Sequence, residues 1–189
     1  MSDLQPLTQW LRAAGQGDSD AGERAFAEVY AELRRLASRQ LGRFDGNATL
    51  TPTALVNEAF LKLSGGALAT LADRRHFFNL AARAMRQTIV DCARERLAQK
   101  RGGDLVRTQI DDESAGGNHL DAAQALAIDQ ALRALERQDA DLAQTLTWYV
   151  FGGLSSEQIA ELREVSTRTV QRDLSVARNY LQLLLNPQT

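Results

Sequence analysis

The sequence predicts an all-α protein, and three observations support this fold class. Proline is rare, with three residues in 189. Strict apolar–polar alternation and β-branched runs, which are typical of strands, do not occur. Apolar residues instead recur at helical spacing in several segments, and a hydrophobic content of 44% supplies material for a core.

Two helices are predicted before residue 42. A short helix at residues 4–14 ends at the glycine-containing acidic stretch 15–20. A longer helix follows and stops at Gly42. Its apolar stripe consists of Phe26, Val29, Tyr30, Leu33, Leu36, Ala37 and Leu41.

The third predicted helix begins at Thr51-Pro52 and is closed by Ser-Gly-Gly at 64–66. Proline fits the first helical turn, and Thr51 fits the N-cap before it. The fourth helix runs from about Asp73 to Gln99, and Gly102-Gly103 ends it.

Residues 103–122 are predicted to be a flexible acidic linker, because they are polar and show no sustained period. Between Gly102 and Asp121, five acids face one arginine, a net charge of −4. The linker would join an N-terminal domain, residues 1–102, to a C-terminal domain, residues 123–189.

The C-terminal domain is predicted to hold four helices. Apolar periods indicate one helix around 125–135 and another around 142–150, which Phe-Gly-Gly at 151–153 breaks. Two further helices follow at about 155–163 and 167–185.

The last two helices have the pattern of a helix-turn-helix. Ser155 or Ser156 can cap the first helix, and Ser166 or Thr167 the second. The positions expected to face inward, with Val165 filling the turn and Ala160 allowing a close crossing, are Ile159, Ala160, Leu162, Val165, Val170 and Leu174.

Polar side chains are left on the outer face of the final helix. Arg and Gln can donate to base edges, and hydroxyls near a helix N-terminus suit phosphates. These residues are Arg168, Thr169, Gln171, Arg172 and Ser175. A plain helical hairpin is the alternative, and Glu164 stands where such turns usually hold glycine, so a left-handed backbone there would cost about 1 kcal/mol.

The fourth helix is basic. Residues 74–101 contain eight Lys/Arg against Asp91 and Glu95, a net charge of +6, although the whole chain carries −2. His76, Phe77 and Phe78 lie among these cations, and aromatic rings beside basic groups are what unstacked bases require. A solvated charged face is the alternative; DNA contact is favoured, with Phe78 as the looser ring if Phe77 is in the core.

Other classes of protein find little support. One cysteine rules out a disulfide within the chain, and one cysteine with two histidines far apart offers no metal cluster or catalytic group. Cys92 is expected in the core, with a redox sensor as the alternative. We expect no enzyme and no cofactor. An apolar signal segment and an 18-residue apolar run are both absent from the sequence, so a cytoplasmic protein that does not enter the membrane is expected.

The order of these parts resembles a bacterial sigma factor of the extracytoplasmic-function (ECF) group over roughly residues 20–185. "TALVNEAFLKL" is similar to the family's core-binding helix, "HFFNLAARAMRQTIVDCARERLAQKRGG" to the segment that melts and reads the −10 element, and "FGGLSSEQIAELREVSTRTVQRDLSVAR" to the −35-reading domain.

The resemblance implies two partners, core RNA polymerase and promoter DNA, and assigns residues to each. For core polymerase they are Leu55, Val56, Glu58, Phe60 and Leu61. For the −10 element they are Arg83, Arg86, Gln87 and Arg94, and for the −35 element Arg168, Gln171, Arg172 and Ser175. The acidic linker is compatible equally with a basic channel of the polymerase and with solubility alone.

The start of the third helix departs from the family, which usually has acids there. Thr51-Pro52-Thr53-Ala54 supplies none. In one interpretation Thr51 is only an N-cap and Thr53 is an unused hydroxyl. In the other, a Ser/Thr kinase phosphorylates one of the two and so supplies the negative charge that the family's acids would give, with Thr51 as the preferred site. An anti-sigma factor is the other possible control. An autonomous helix-turn-helix regulator acting as a dimer is the alternative function.

Overall fold

The computed structural model describes residues 5–41, 52–64, 73–102 and 121–185, and within these ranges the chain forms eight α-helices and no strand. This confirms the all-α prediction for the described part of the chain. The helices are α1 (Gln5–Gly15), α2 (Ser19–Leu41), α3 (Pro52–Ser64), α4 (Arg74–Gly102), α5 (Ala122–Gln138), α6 (Ala140–Val150), α7 (Ser156–Arg163) and α8 (Thr167–Leu185).

The first four helices pack in chain order, α1 on α2, α2 on α3 and α3 on α4. The stripe that α2 buries is Ala25, Val29, Leu33, Leu36 and Ala37. Phe26 was predicted on that stripe, but its side chain is 52% exposed. One residue further along a helix turns the side chain by about 100°, so Phe26 lies at the edge of α2, where its ring contacts Phe60 of α3 edge-on at 4.8 Å.

The second group of helices is organised around α5, which packs against α4, α6 and α8, while α7 packs against α8. Asp121 caps α5 through a reciprocal capping box with Gln124. The last two residues of the predicted linker are therefore the cap and the first residue of α5. Residues 103–120, the rest of that prediction, lie outside the described residues.

The chain turns sharply after α6 because of two glycines. A Cβ on Gly152 would lie 2.7 Å from the carbonyl oxygen of Trp148. Gly153 has φ of 64°, in the left-handed region that favours glycine. This turn buries Phe151 and Leu154 completely and sets the start of α7.

The two groups of helices share one continuous set of buried residues. Helix α4 contacts α3 on one side and α5, α6 and α7 on the other. Gly152 shows how close this approach is, because a Cβ there would be 3.2 Å from the Cβ of Ala82 on α4. The basic helix α4 therefore joins the first four helices to the last four.

Candidate nucleic-acid interface

The α7–turn–α8 unit has well-defined helix ends. Ser155 accepts a hydrogen bond from the backbone N–H of Gln158, whose side chain accepts one from the Ser155 N–H. Glu164 ends α7 in the left-handed conformation, with φ 55° and ψ 41°, so the turn keeps this backbone although it lacks the usual glycine. Ser166 Oγ then accepts from the N–H of Thr169 at 3.1 Å at the start of α8.

The buried face of this unit agrees with the predicted pattern except in the turn. Ile159, Leu162, Val170 and Leu174 are buried. Val165 is 37% exposed, so the prediction that it fills the turn is wrong. It contributes its backbone instead, because its N–H donates to the carbonyl of Ala160 at 3.0 Å and closes the turn.

The predicted DNA-reading side chains form one surface at the N-terminal half of α8. Arg168, Gln171, Arg172 and Ser175 are exposed and Thr169 is half-buried. Together with Ser166 they line a single polar depression. Such a surface combines fork-shaped and amide donors for base edges with hydroxyls for phosphates.

An ion pair that sequence reasoning missed holds α8 in place. Arg163 Nη1 donates to Asp173 Oδ2 at 2.7 Å and to Thr145 Oγ1 of α6 at 3.0 Å. Both charged side chains are largely buried. The sequence signal that could have predicted this pair is a basic residue at the end of α7 with an acidic residue ten positions later.

The residues assigned to the −10 element by resemblance divide into two sets. Arg83, Gln87 and Arg94 are exposed on α4. Gln87 Nε2 donates to Asp91 Oδ1 at 2.7 Å, and Arg94 Nη1 lies 3.3 Å from the same oxygen. On this exposed face of α4, Gln87 and Arg94 therefore share one carboxylate.

Arg86 lies on a different side of α4. Its side chain is 12% exposed and its Nε donates to Asp129 Oδ1 of α5 at 2.7 Å, while Nη1 lies 2.6 Å from Glu136 Oε1. In this structure, Arg86 therefore faces α5 rather than solvent.

The aromatic rings among the basic residues do not form a surface. Phe77 and Phe78 are both buried and contact each other at 5.4 Å between ring centroids. The expectation that Phe78 is the looser ring is wrong, since it packs in the core beneath Arg74, whose guanidinium lies 5.5 Å from the ring centroid.

The α3 motif is partly core and partly surface. Leu55 and Val56 are fully buried, so in this structure their side chains belong to the core, and their assignment to core polymerase stays a prediction. Glu58 and Leu61 are exposed and Phe60 is half-buried. Exposed Phe26 extends this apolar surface onto α2, which the sequence pattern did not indicate.

The candidate phosphorylation sites differ in what the structure describes. Thr51 lies outside the described residues. Thr53 is exposed in the first turn of α3, and that turn contains no acidic residue.

Cys92 is half-buried rather than fully in the core. Burial raises the pKa of its thiol, and the carboxylates of Glu95, Asp91 and Glu58 raise it further, against a smaller opposite effect of Lys62. A raised pKa disfavours the thiolate, the form that reacts with oxidants.

The described residues contain no group of three His, Cys, Asp or Glu side chains that could hold a metal ion. Nor is any described helix both long and apolar enough for a membrane span.

Comparison with known proteins gives one match. The family model described as ECF sigma factor matches residues 4–186, nearly the whole chain. No curated protein and no solved structure matches the chain.

Proposed function

Because the chain belongs to the ECF sigma factor family, we propose that its separate exposed surfaces divide the work of promoter recognition. The chain is a sigma factor in transcription initiation, and its partners are core RNA polymerase and promoter DNA. Residues 1–102 act as one functional domain and residues 121–189, from the cap of α5 onward, as the other, with 103–120 as their linker.

The α8 surface reads the −35 duplex. The observation that carries this assignment is the convergence of Arg168, Gln171 and Arg172 on the exposed N-terminal half of α8, with Ser175 one turn further. A helix presented in this way fits the major groove, where Arg and Gln distinguish bases by paired hydrogen bonds. The Arg163–Asp173 ion pair supports the reading helix from behind.

The exposed face of α4 binds the −10 element. Arg83, Gln87 and Arg94 supply donors for phosphates and for the edges of unstacked bases. Because Phe78 is buried in the core, electrostatic and hydrogen-bond contacts contribute more to the affinity of this surface for DNA than aromatic stacking does.

The exposed part of α3 docks on core polymerase. Leu61 is an exposed large apolar residue, Phe60 lies beside it and Glu58 adds charge. Leu55 and Val56 hold α3 against the core, so they act on this surface only by positioning it.

Phosphorylation at the start of α3 is a further part of the proposal. A helix N-terminus favours an anion, and a phosphothreonine adds about −1.5 to −2 charges. Thr51, directly before Pro52, is the preferred acceptor, and Thr53 is the second. Polymerase binding by Thr51→Ala, Thr51→Asp and kinase-treated wild type tests this, and kinase-treated Thr53→Ala shows which of the two threonines is the acceptor. Equal transcription by Thr51→Ala and the phosphorylated protein would end the idea.

Reconstituted transcription tests the function itself. Purified chain and core polymerase are incubated with genomic fragments, and transcription start sites are mapped. We expect new start sites with shared −35 and −10 elements, and Gln171→Ala should lower transcription about tenfold, since a good base contact is worth about 1–3 kcal/mol. Binding as a dimer to palindromic DNA without polymerase, together with no new start sites, would favour the autonomous regulator instead.

A further inference from the structure

Gln87, Asp91 and Arg94 follow one another along a single face of α4, since residues three and four apart are neighbours on a helix. Asp91 is the acceptor for the other two. Gln87 Nε2 donates to Asp91 Oδ1 at 2.7 Å, and Arg94 Nη1 donates to the same oxygen at 3.3 Å. Two side chains assigned to the −10 element by resemblance therefore meet at a carboxylate that the resemblance does not include.

The second oxygen of this carboxylate is held from another helix. Lys62 of α3 donates from Nζ to Asp91 Oδ2 at 3.3 Å. Lys62 directly follows Leu61, so α3 carries both the surface proposed for core polymerase and a cation that reaches the proposed DNA surface of α4. Asp91 is therefore fixed from two helices, and the group that it forms with Lys62 and Arg94 keeps a net positive charge.

The Asp91 carboxylate decides which way the Gln87 amide points. An ionised carboxylate only accepts hydrogen bonds, whereas a glutamine amide has a nitrogen with two donors and an oxygen that accepts. The amide nitrogen must therefore face Asp91, because the reverse orientation would bring two acceptor oxygens together. One N–H and the Oε1 of Gln87 remain for a base edge, in a fixed order.

A donor beside an acceptor is the pattern with which glutamine reads adenine, whose N7 accepts and whose N6 amino group donates. A freely rotating amide can also turn its nitrogen alone toward the acceptors of guanine, or its oxygen alone toward the amino group of cytosine. Holding the Gln87 amide in one orientation removes these other modes and lowers the entropy that is lost when adenine binds.

The contacts of Asp91 contribute little to the fold itself. The side chains of Lys62, Asp91 and Arg94 are 35%, 41% and 50% exposed. Ion pairs that water reaches contribute little to stability, because solvent screens them. Substitutions in this group should therefore leave the protein folded, so that an effect on base recognition can be measured by itself.

We propose that Asp91 and Lys62 are positioning residues of the −10 surface. Lys62 holds Asp91, Asp91 fixes the amide of Gln87, and Gln87 reads an adenine of the −10 element. This inference rests on the proposed function of α4 and deepens it, because it adds two residues to the site and names the base that the site selects.

The first test measures base preference in transcription. The chain and core polymerase transcribe a promoter library randomised in the −10 element, and the transcribed promoters are sequenced. Gln87→Ala identifies the position that Gln87 reads, as the one where a preference for adenine is lost. Asp91→Asn should lower that preference about tenfold, within what a paired base contact is worth, because an asparagine amide also donates and so permits both orientations of Gln87.

Glu95→Gln is the matched control for Asp91→Asn. It also replaces one acid of α4 by its amide, at an exposed position four residues further along, and it should leave the adenine preference unchanged. Lys62→Met removes the ammonium and should also lower the preference, whereas Lys62→Arg can still donate to Asp91 and should restore it. If Asp91→Asn and Lys62→Met keep the wild-type preference, whatever happens to total transcription, the inference is wrong.

The orientation of the amide is tested without DNA by ¹⁵N relaxation of the Gln87 side chain in the free protein. The signal is identified by its absence in Gln87→Ala. We expect a rigid amide in wild type and in Glu95→Gln, and an order parameter below about 0.6 in Asp91→Ala and Lys62→Met. A mobile Gln87 amide in wild type would overturn the positioning role.

The promoter library also separates the two proposals. If the wild-type protein with core polymerase selects no −10 sequence, the proposed function fails and the inference fails with it. If it selects one, but Gln87→Ala changes the preference at no position or removes a preference for a base other than adenine, only the inference fails.

Discussion

Arg163, the last residue of α7, and Asp173, in the middle of α8, are joined across the turn by an ion pair of 2.7 Å. Thr145 of α6 accepts a second hydrogen bond from the same arginine nitrogen. Three helices are therefore fixed relative to one another by one guanidinium, directly behind the surface that we assign to the −35 element.

Asp173→Ala should lower the free energy of unfolding by about 1–3 kcal/mol, because it leaves a largely buried guanidinium with only the Thr145 hydroxyl. Urea unfolding measures the loss. Arg172→Ala is the control: that side chain is 75% exposed and 3.5 Å from Asp173, so its loss should change stability by less than about 1 kcal/mol. Equal losses in both variants would contradict the structural role of the Arg163 pair.

Glu164→Gly should stabilise the protein by up to about 1 kcal/mol. The backbone there is left-handed, which costs a residue with a Cβ but not glycine, and the greater freedom of glycine in the unfolded chain offsets part of the gain. Glu164→Ala removes the same carboxylate but keeps the Cβ, so it should give no gain. A midpoint of thermal unfolding that rises equally in both variants would attribute the effect to charge instead.

Ser155→Ala should weaken α7 by about 0.5–2 kcal/mol through loss of the N-cap. The Ser155 hydroxyl also holds the pKa of Glu157 below its usual value. The variant should therefore move the Glu157 titration to higher pH, which NMR of the carboxyl carbon detects. Ser156→Ala should leave both quantities near wild type.

Leu61→Ala and Leu55→Ala should separate binding from folding within one motif. Leu61 is exposed, so its truncation should weaken polymerase binding while stability changes little. Leu55 is fully buried, so its truncation should cost about 2–5 kcal/mol of stability. Pull-down of core polymerase and urea unfolding together check both. Unchanged polymerase binding by Leu61→Ala would remove α3 from the docking surface.

The rate at which Cys92 reacts with iodoacetamide should rise with pH through a midpoint above that of an ordinary thiol, because burial and the carboxylate of Glu95 raise the pKa of Cys92. Glu95→Gln should lower the midpoint of the rate profile, and Glu23→Gln should not. Between the unfolded and the folded pKa, the folded thiol keeps a proton that the unfolded chain has lost. The contribution of the Cys92 thiol to the stability of the fold is therefore complete below the unfolded pKa and is lost as the pH rises through the folded pKa. A midpoint at or below that of a free thiol would contradict the raised pKa.

Local signals predicted most helix boundaries. The final helix was expected at 167–185 and extends over Thr167–Leu185. Capping serines, the glycines after α6 and the apolar period act within a few residues of chain, so they can be read without knowing what lies opposite. The polar face of α8 was predictable for the same reason.

The helices, the polar outer face of α8 and the basic character of α4 can all be read from the amino-acid sequence. Which side of each helix is buried cannot: Leu55 and Val56 face inward, Phe26 faces outward, and Arg86 pairs with Asp129 across 43 positions of the chain. An apolar or charged side chain has a fixed chemistry but not a fixed partner. Burial and ion pairing depend on which helix packs beside it, and that is set by contacts between distant segments.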